Sequence, residues 1–417
     1  MPDALAILLS GEHVADVRRS RAGTLRLDYL ASHSFPESTP LSLSLPPLRR
    51  TFSGIAVERY LWSLLPENDE ARRWVQRLYG ANPRDPLSLL GVIGKDCAGA
   101  VQFCAPGEIA ETVARAGSLE PADDLESRLA QLRLSDDAPW QMPGEHWSLN
   151  GMQQKFTLVR AGDRWMYPQG SEPSTHIVKP GVRTVRHQAL LEHLSMRAAA
   201  LLGLDVASTS FEDFGSERAV VVERFDRRRS RSNVQRLHQE DFCQALGADE
   251  KYEDRGGPGV VRMARLLRER SETVAQAEEN VRTLADGIVY NAIIAAPDAH
   301  ARNFAVMLDG AGVTTSPMYD VATGLAYQPH PTMGRTSSLA IGGTFDLDAL
   351  TPESWQSLAL DLGADGEWIE SRVDRVLDGI ELAFHDAAAE VDDWDGAVGD
   401  VMERLAPALA QRVARLR

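Results

Sequence analysis

An aspartate, an asparagine and a second aspartate stand at positions 298, 303 and 320. Asp298 and Asn303 are five residues apart in Ala296-Pro297-Asp298-Ala299-His300-Ala301-Arg302-Asn303-Phe304, and Tyr319-Asp320 comes seventeen residues after the asparagine. This set of oxygen-bearing side chains suits phosphoryl transfer from a nucleotide. One carboxylate must orient an acceptor hydroxyl and take its proton. An amide oxygen and another carboxylate must hold Mg²⁺, which prefers oxygen ligands and keeps some waters. Asp298 is then the candidate base, and Asn303 and Asp320 are the candidate metal ligands. An unperturbed Asp, with a pKa of about 3.9, is a weak base at neutrality. Its work is mostly positioning, which suits a loose transition state. Asp-x-x-x-x-Asn alone is a weak signal, because Asp after a helix is ordinarily a turn former.

Other residues stand in a supporting order along the chain. Lys179 ends an apolar strand pattern and Glu192 lies early in the next helical one. A strand lysine steadied by a helix glutamate can hold nucleotide phosphates; the plainer reading is a surface salt bridge worth little. Glu223-Arg224-Phe225 closes a valine-rich strand, the place where a bilobal kinase pairs its backbone with adenine. No G-x-G-x-x-G and no Walker A pattern is present. The phosphate-loop candidate is Asn150-Gly151-Met152-Gln153-Gln154-Lys155, whose N–H groups could cradle phosphates with Lys155 as a point charge. Gly256-Gly257-Pro258-Gly259 reads as a turn into a helix. The chain has no H-e-x-x-H type zinc motif, no Cys-x-x-Cys and no Gly-x-Ser-x-Gly elbow.

The elements that must position these residues change character along the chain. The first 50 residues alternate apolar and polar, and Leu41-Ser42-Leu43-Ser44-Leu45 has strict period two, so short strands are predicted. Helices are predicted over 53–65, 68–79 (ending at Gly80) and 86–94, then a strand over 98–103. The polar, proline-bearing stretch 118–146 reads as a linker with at most one short helix, over 123–134. Strands follow at 155–160, 165–168, 176–179 and 219–225, with a helix over 187–202. Beyond 238 the pattern is helical: 238–247, 258–268, 274–295, 352–362, 367–390 and 398–416, with one strand at 304–308. A mixed half followed by a helical half predicts an α+β protein of two lobes.

Composition narrows the function classes. With 417 residues, 43% hydrophobic and 25% charged, the chain is neither disordered nor collagen-like. Its net charge of −16 argues against a basic nucleic-acid binder. No apolar run suits a membrane span, and Ala4–Leu9 is too short for a signal peptide. Cys97, Cys104 and Cys243 read as buried reduced thiols of a cytosolic protein. Residues 361–400 carry thirteen acidic residues against Arg372 and Arg375, the solvated face of a helix or an acidic docking face. Residues 224–236 carry Arg224, Arg227, Arg228, Arg229, Arg231 and Arg236 against Asp226, either a solvated hairpin tip or a phosphate contact.

Taken in order, these segments resemble the HipA toxin family, the serine/threonine kinases of bacterial type II toxin–antitoxin modules. The resemblance runs through Leu41–Pro46, Leu64–Glu67, Ser148–Lys155, Ser174–Pro180, Val222–Arg227, Gln239–Gln244, Lys251–Glu253 with Gly256–Gly259, and Asp298–Phe304. It implies a protein-kinase-like bilobal fold with an extra N-terminal subdomain. The chain then divides into 1–138 (N-terminal subdomain), 139–228 (N-lobe with the nucleotide loop) and 229–417 (helical C-lobe with the catalytic loop). It implies ATP and Mg²⁺ as cofactors, with Lys179 on phosphate, Glu223 and Phe225 on the adenine side, and His300 and Tyr319 beside the site. Ser148 matches a serine whose autophosphorylation ejects the loop and silences the enzyme. The implied partners are a HipB-like helix-turn-helix antitoxin, operator DNA through that antitoxin, and an aminoacyl-tRNA synthetase of the glutamyl type as substrate. A small-molecule kinase and a catalytically idle co-repressor remain the alternatives. Two positions depart from the family pattern: Pro297 replaces a small polar residue and Ala299 a glycine, which is harmless if residue 299 is right-handed.

Overall fold

The period-two pattern at the start of the chain folds into an antiparallel sheet. In the computed structural model, which describes residues 3–115, 118–135, 138–230, 233–329 and 334–417, its strands run in the order Thr51–Ser53, Leu25–Tyr29, Glu12–Arg19, Ala4–Leu9, Val101–Cys104. One face buries Leu5, Ile7, Val17, Leu27 and Phe52 with Val57, Leu61, Leu90 and Ile93 of the helices Ile55–Ser63 and Pro86–Ile93. Helix Asp69–Tyr79 sits between those two in sequence, capped by the Asn68 side chain at its start and by left-handed Gly80 at its end. All three cysteines are buried and free.

Leu41–Leu45 is not a strand. Its backbone groups find side chains instead of a ladder: Tyr29 Oη donates to Leu45 O (2.7 Å) and accepts from Leu41 N–H (2.9 Å), and Leu43 N–H donates to Glu240 (2.8 Å). The stretch 118–146 is more than a linker. Leu119–Pro121 is an edge strand paired with Arg164–Pro168, and helix Leu125–Leu134 buries Arg128 against Glu145. A second sheet holds, in order, Glu217–Glu223, His176–Lys179, Phe156–Ala161, Arg164–Pro168 and Leu119–Pro121. Residues 238–247 are not one helix: His238–Asp241 is extended, and helix Phe242–Leu246 begins at an Asp241–Gln244 capping box.

The chain divides into two compact units, one of residues 1–184, 212–240 and 307–311, the other of 185–211, 241–306 and 312–417. The second unit is built on helices Gln188–Leu201, Val260–Arg270, Val274–Ile293, Pro352–Leu362, Gly366–Ala389 and Ala397–Leu416. The acidic segment is helical, with Ile369, Val373, Val376, Leu377, Ile380 and Phe384 buried and its carboxylates mostly on the outer face. Among the described residues no helix is long and apolar enough to cross a membrane. The α+β class predicted from the pattern is the class observed.

Buried neutral histidines make each unit acid-sensitive. In the first unit, His238 Nε2 lies 3.2 Å from Leu41 O while Nδ1 faces Ala100 N–H, which fixes a neutral tautomer with Nδ1 accepting. In the second, His193 is buried beside Thr209 Oγ1 (3.0 Å). Burial pushes both imidazoles down to about 4. Both groups protonate more readily unfolded, so stability is complete above about pH 6.5 and falls as pH drops towards 4. Each histidine is expected to remove about 1.4 kcal/mol per pH unit in that window. Urea unfolding between pH 8 and 4.5 checks this, and His238→Gln should flatten the slope of the first unit.

Candidate active site

Asp298 begins the segment that follows the long helix Val274–Ile293. Arg412 reaches the carbonyls that end this helix, donating to Ala292 O (2.7 Å) and Ile293 O (2.8 Å), which places a cation at the negative end of the helix dipole. Ala295 then turns left-handed at φ +50°, and Gly324 N–H binds its carbonyl (3.1 Å). A Cβ at Gly324 would lie 2.8 Å from that carbonyl, so a glycine is required there. Thr323 Oγ1 donates to Ile294 O (2.6 Å) and Ser338 Oγ to Pro297 O (2.8 Å). The backbone on either side of Asp298 is thus held by its neighbours. Pro297, the first departure from the family pattern, leaves this turn intact, and Ala299 is not left-handed, so the second is harmless as well.

The Asp298 carboxylate points outward, 67% exposed, with His300 Nε2 3.5 Å from its Oδ1. Its backbone does the local structural work: Asp298 O accepts from Asn303 Nδ2 (2.6 Å) and from His300 N–H (2.9 Å). Committing the Asn303 amide nitrogen to that carbonyl turns its oxygen away as a ligand. His300 is buried, its ring edge-on to Tyr252 at 5.4 Å. Tyr319 Oη donates to Arg302 O (2.7 Å), which ties the residue before Asp320 to the residue before Asn303. Burial raises the Tyr319 phenol well above its ordinary value, with Asp241 and Asp320 adding to it, so it stays protonated as a donor. Asp320 sits in the left-handed region at φ +58°, a conformation that Asp tolerates better than most residues.

Asp298, His300, Asn303, Tyr319 and Asp320 therefore share one unit and one connected backbone network. Among the described residues no group of three or more His, Cys, Asp or Glu gathers as a metal site. What is available is an amide oxygen and a carboxylate. That donor set fits Mg²⁺, which takes one or two carboxylates and completes its shell with phosphate and water. Asn303 and Asp320 would hold it.

The residues expected on the nucleotide side lie in the other unit, apart from Glu192. Trp147–Ser148 pairs in parallel with Asp96–Cys97, and the loop from Asn150 follows at once. Lys155 is buried and folds back, its Nζ on Asn150 O at 2.7 Å. Gly151 lies at φ +102°, and a Cβ there would meet that ammonium at 2.8 Å. Gly151 O accepts from Glu67 N–H (3.2 Å), Met152 is exposed, and Gln154 Nε2 donates to Ser135 O (2.8 Å). Gln153 is half-buried. Ser148 is fully buried, donating to Leu64 O at 2.7 Å. Lys179 is buried at the end of its strand, opposite Val220. Glu192 is fully buried in its helix of the second unit, 3.4 Å from Gln188 Nε2. Glu223 is exposed and Phe225 half-buried.

Arg224 is a correction. Its N–H is taken by Thr175 O (2.9 Å), and its buried guanidinium binds Asp226, Asp96, Ser174 Oγ and Cys97 O. Arg227 and Arg236 converge on the same Asp96 carboxylate at 2.9 and 3.0 Å. Half of the arginine run is therefore an interior ion network. Arg228 and Arg229 are exposed, and Arg231 lies outside the described residues. Sequence reading misses Asp96, the centre of this network, because a lone Asp between Lys95 and Cys97 carries no pattern.

Two family profiles match: the HipA N-terminal domain over residues 5–104 and the HipA-like C-terminal domain over residues 147–384. The second contains every candidate site residue. A Sinorhizobium fredii protein named “Putative kinase Y4mE” is 30% identical over 383 residues, 90% of this chain and 89% of the relative. The serine/threonine-protein kinase toxin HipA of Shewanella oneidensis is 28% identical over 362 residues, 83% of this chain and 80% of the relative. The fold is that of HipA in the Shewanella oneidensis complex of HipA, HipB and operator DNA. The TM-score is 0.83 at 24% identity, over 99% of this chain and 97% of that one.

Proposed function

This chain belongs to the HipA family and is a serine/threonine kinase of that type, and on this premise we propose that it is the toxin of a toxin–antitoxin module. In this reading it uses ATP and Mg²⁺ in the cytoplasm and phosphorylates a serine of an aminoacyl-tRNA synthetase, the glutamyl enzyme by family resemblance. A HipB-like helix-turn-helix antitoxin binds it and brings it to operator DNA. The working division is 1–138, 139–228 and 229–417 for the N-terminal subdomain, the nucleotide lobe and the catalytic lobe.

The observation that carries this reading is the Asp298 loop: an exposed carboxylate on a backbone pinned from both sides, next to an asparagine whose amide oxygen is turned free. Asp298 accepts the hydrogen bond of the acceptor hydroxyl and receives its proton as the phosphoryl group leaves the nucleotide. His300, 3.5 Å away, limits where that carboxylate can swing. Lys155, Lys179 and the N–H groups of 150–155 hold phosphate oxygens, and Glu223 and Phe225 offer backbone to the adenine. Mg²⁺ on Asn303 and Asp320 supplies neutralisation of phosphate charge when bound. Ser148 supports a regulatory role through its burial: a phosphate of about −1.5 to −2 charge cannot remain there, so modification requires the loop to leave.

The test is transfer of γ-labelled phosphate from Mg-ATP into a lysate of the source cells. A labelled synthetase-sized band that needs Asp298 supports the reading. No Asp298-dependent label on any protein, from a preparation with unmodified Ser148, overturns it. A second expected result concerns the loop. Gly151→Ala forces an L-residue to φ +102° and presses on Lys155, at a cost of about 1–3 kcal/mol. It should raise KM for ATP about tenfold or more, with a smaller effect on kcat, read by steady-state kinetics.

A further inference from the structure

The part of the arginine run not absorbed by Asp96 lines a recess of about 460 Å³ in the first unit. Its walls include Glu12 from the first hairpin, Gln102, Arg115, and Arg228, Arg229 and Gln235 of the hairpin Arg227–Arg229/Val234–Arg236. Arg115 is fixed by neutral acceptors, Asn233 Oδ1 and Val234 O, the latter at 2.5 Å. Arg229 is fixed by Arg160 O at 2.6 Å. Carbonyl and amide oxygens hold a guanidinium in place without neutralising it. Among the described residues neither Arg228 nor Arg229 has a carboxylate within ion-pair distance, and Glu12 is the one acidic residue in the lining. Arg236 also lines the recess, but its charge is spent on Asp96.

A chain of net charge −16 thus gathers three arginines, none of them in an ion pair among the described residues, into one polar recess. We propose that this recess binds a small phosphorylated metabolite through Arg115, Arg228 and Arg229, at a site separate from the nucleotide loop. Planar guanidinium forks match phosphate oxygens bidentately, and charge-assisted bonds of this kind are the strong ones. The volume is that of a small-molecule site. Polynucleotide binding would call for cations strung along a surface to follow a backbone; here they converge, and the chain around them is acidic.

The probe is pyrophosphate without divalent metal, titrated calorimetrically into the full chain. Pyrophosphate also suits the nucleotide loop, so Lys155→Gln weakens that contribution, and the part of the remaining binding that depends on Arg228 and Arg229 belongs to the recess. Arg228→Gln with Arg229→Gln changes two exposed side chains and is expected to weaken the remaining binding at least tenfold, with the melting temperature unchanged. Should that pair lower the melting temperature, Arg228→Lys with Arg229→Lys keeps the charge, loses the fork and should bind with intermediate strength. Undiminished binding in the glutamine pair overturns the proposal, as does no binding by the Lys155→Gln protein. Binding of a duplex oligonucleotide that pyrophosphate cannot displace overturns it too, in favour of a nucleic-acid contact. None of these results touches the kinase reading, which rests on other residues.

Discussion

Asp298→Asn is expected to lower phosphotransfer about a thousandfold while leaving the fold and the KM for ATP nearly unchanged. The size follows from what a positioned general base contributes, roughly 10²- to 10⁴-fold. The separation from stability follows from the geometry. The bonds that organise the loop go to the Asp298 carbonyl, from Asn303 Nδ2 and His300 N–H, and a side-chain amide leaves both intact. The carboxylate itself is 67% exposed, so the substitution leaves it in solvent, and an amide of the same shape can still face His300 Nε2. An asparagine keeps the shape but cannot accept a proton. The loss should therefore fall on kcat, measured with labelled ATP beside the melting temperature of the variant. More than a tenth of wild-type turnover in Asp298→Asn would remove Asp298 from the role of base. An equal loss of stability would make it structural instead.

The core of the loop around Asp298 was legible because its inner bonds are local, whereas Thr323, Gly324 and Ser338, which pin its flanks, carry no local signal. A long helix, a proline, then an Asp and an Asn five apart leave few conformations, and the observed bonds close within 298–303. The long helices were legible from their apolar spacing. Leu41–Leu45 misled because period two signals a strand only when a neighbouring strand supplies the ladder. Here Tyr29 and Glu240 take that part, and Glu240 stands nearly 200 residues away in sequence. The edge strand in 118–146 was hidden by prolines, which an edge tolerates. The arginine run showed that charge without a visible counter-ion is ambiguous. Arg224, Arg227 and Arg236 are 128, 131 and 140 residues from Asp96, which shares their charge with the nearby Asp226, and no local window contains Asp96 with them.

That network gives the second large effect: Asp96→Asn is expected to destabilise the first unit by about 3–5 kcal/mol, the usual cost of leaving buried charges without their partner. Asp96 accepts from Arg224, Arg227 and Arg236 and from Ser174 Oγ (2.6 Å), all buried. An amide of the same shape keeps one or two of these bonds and none of the charge. Asp28, on the surface with Arg18 and Arg26, is the control, and Asp28→Asn should cost less than about 1 kcal/mol. Acid separates this term from the histidines. Burial alone would raise the Asp96 carboxyl, but Arg227, Arg224 and Arg236 outweigh it and hold the group far below the usual carboxylate range. A depressed pKa gives stability that is present above the unfolded value of about 3.9 and is lost as pH falls through the folded one. The gap between wild type and Asp96→Asn should therefore stay constant from pH 8 to 5, where His238 is already lowering both curves, and narrow only below about pH 4. The same substitution should reach the nucleotide side. Asp96–Cys97 is the strand partner of Trp147–Ser148, Ser174 leads into the Lys179 strand, and Arg224 follows Glu223. Loosening one carboxylate frees the supports of the loop, the lysine and the adenine-side backbone together. Urea unfolding across pH, with KM for ATP measured on the protein that remains folded, checks both halves. A cost below about 1 kcal/mol would mean that water or a shifted side chain replaces Asp96, and that the three arginines do not depend on it.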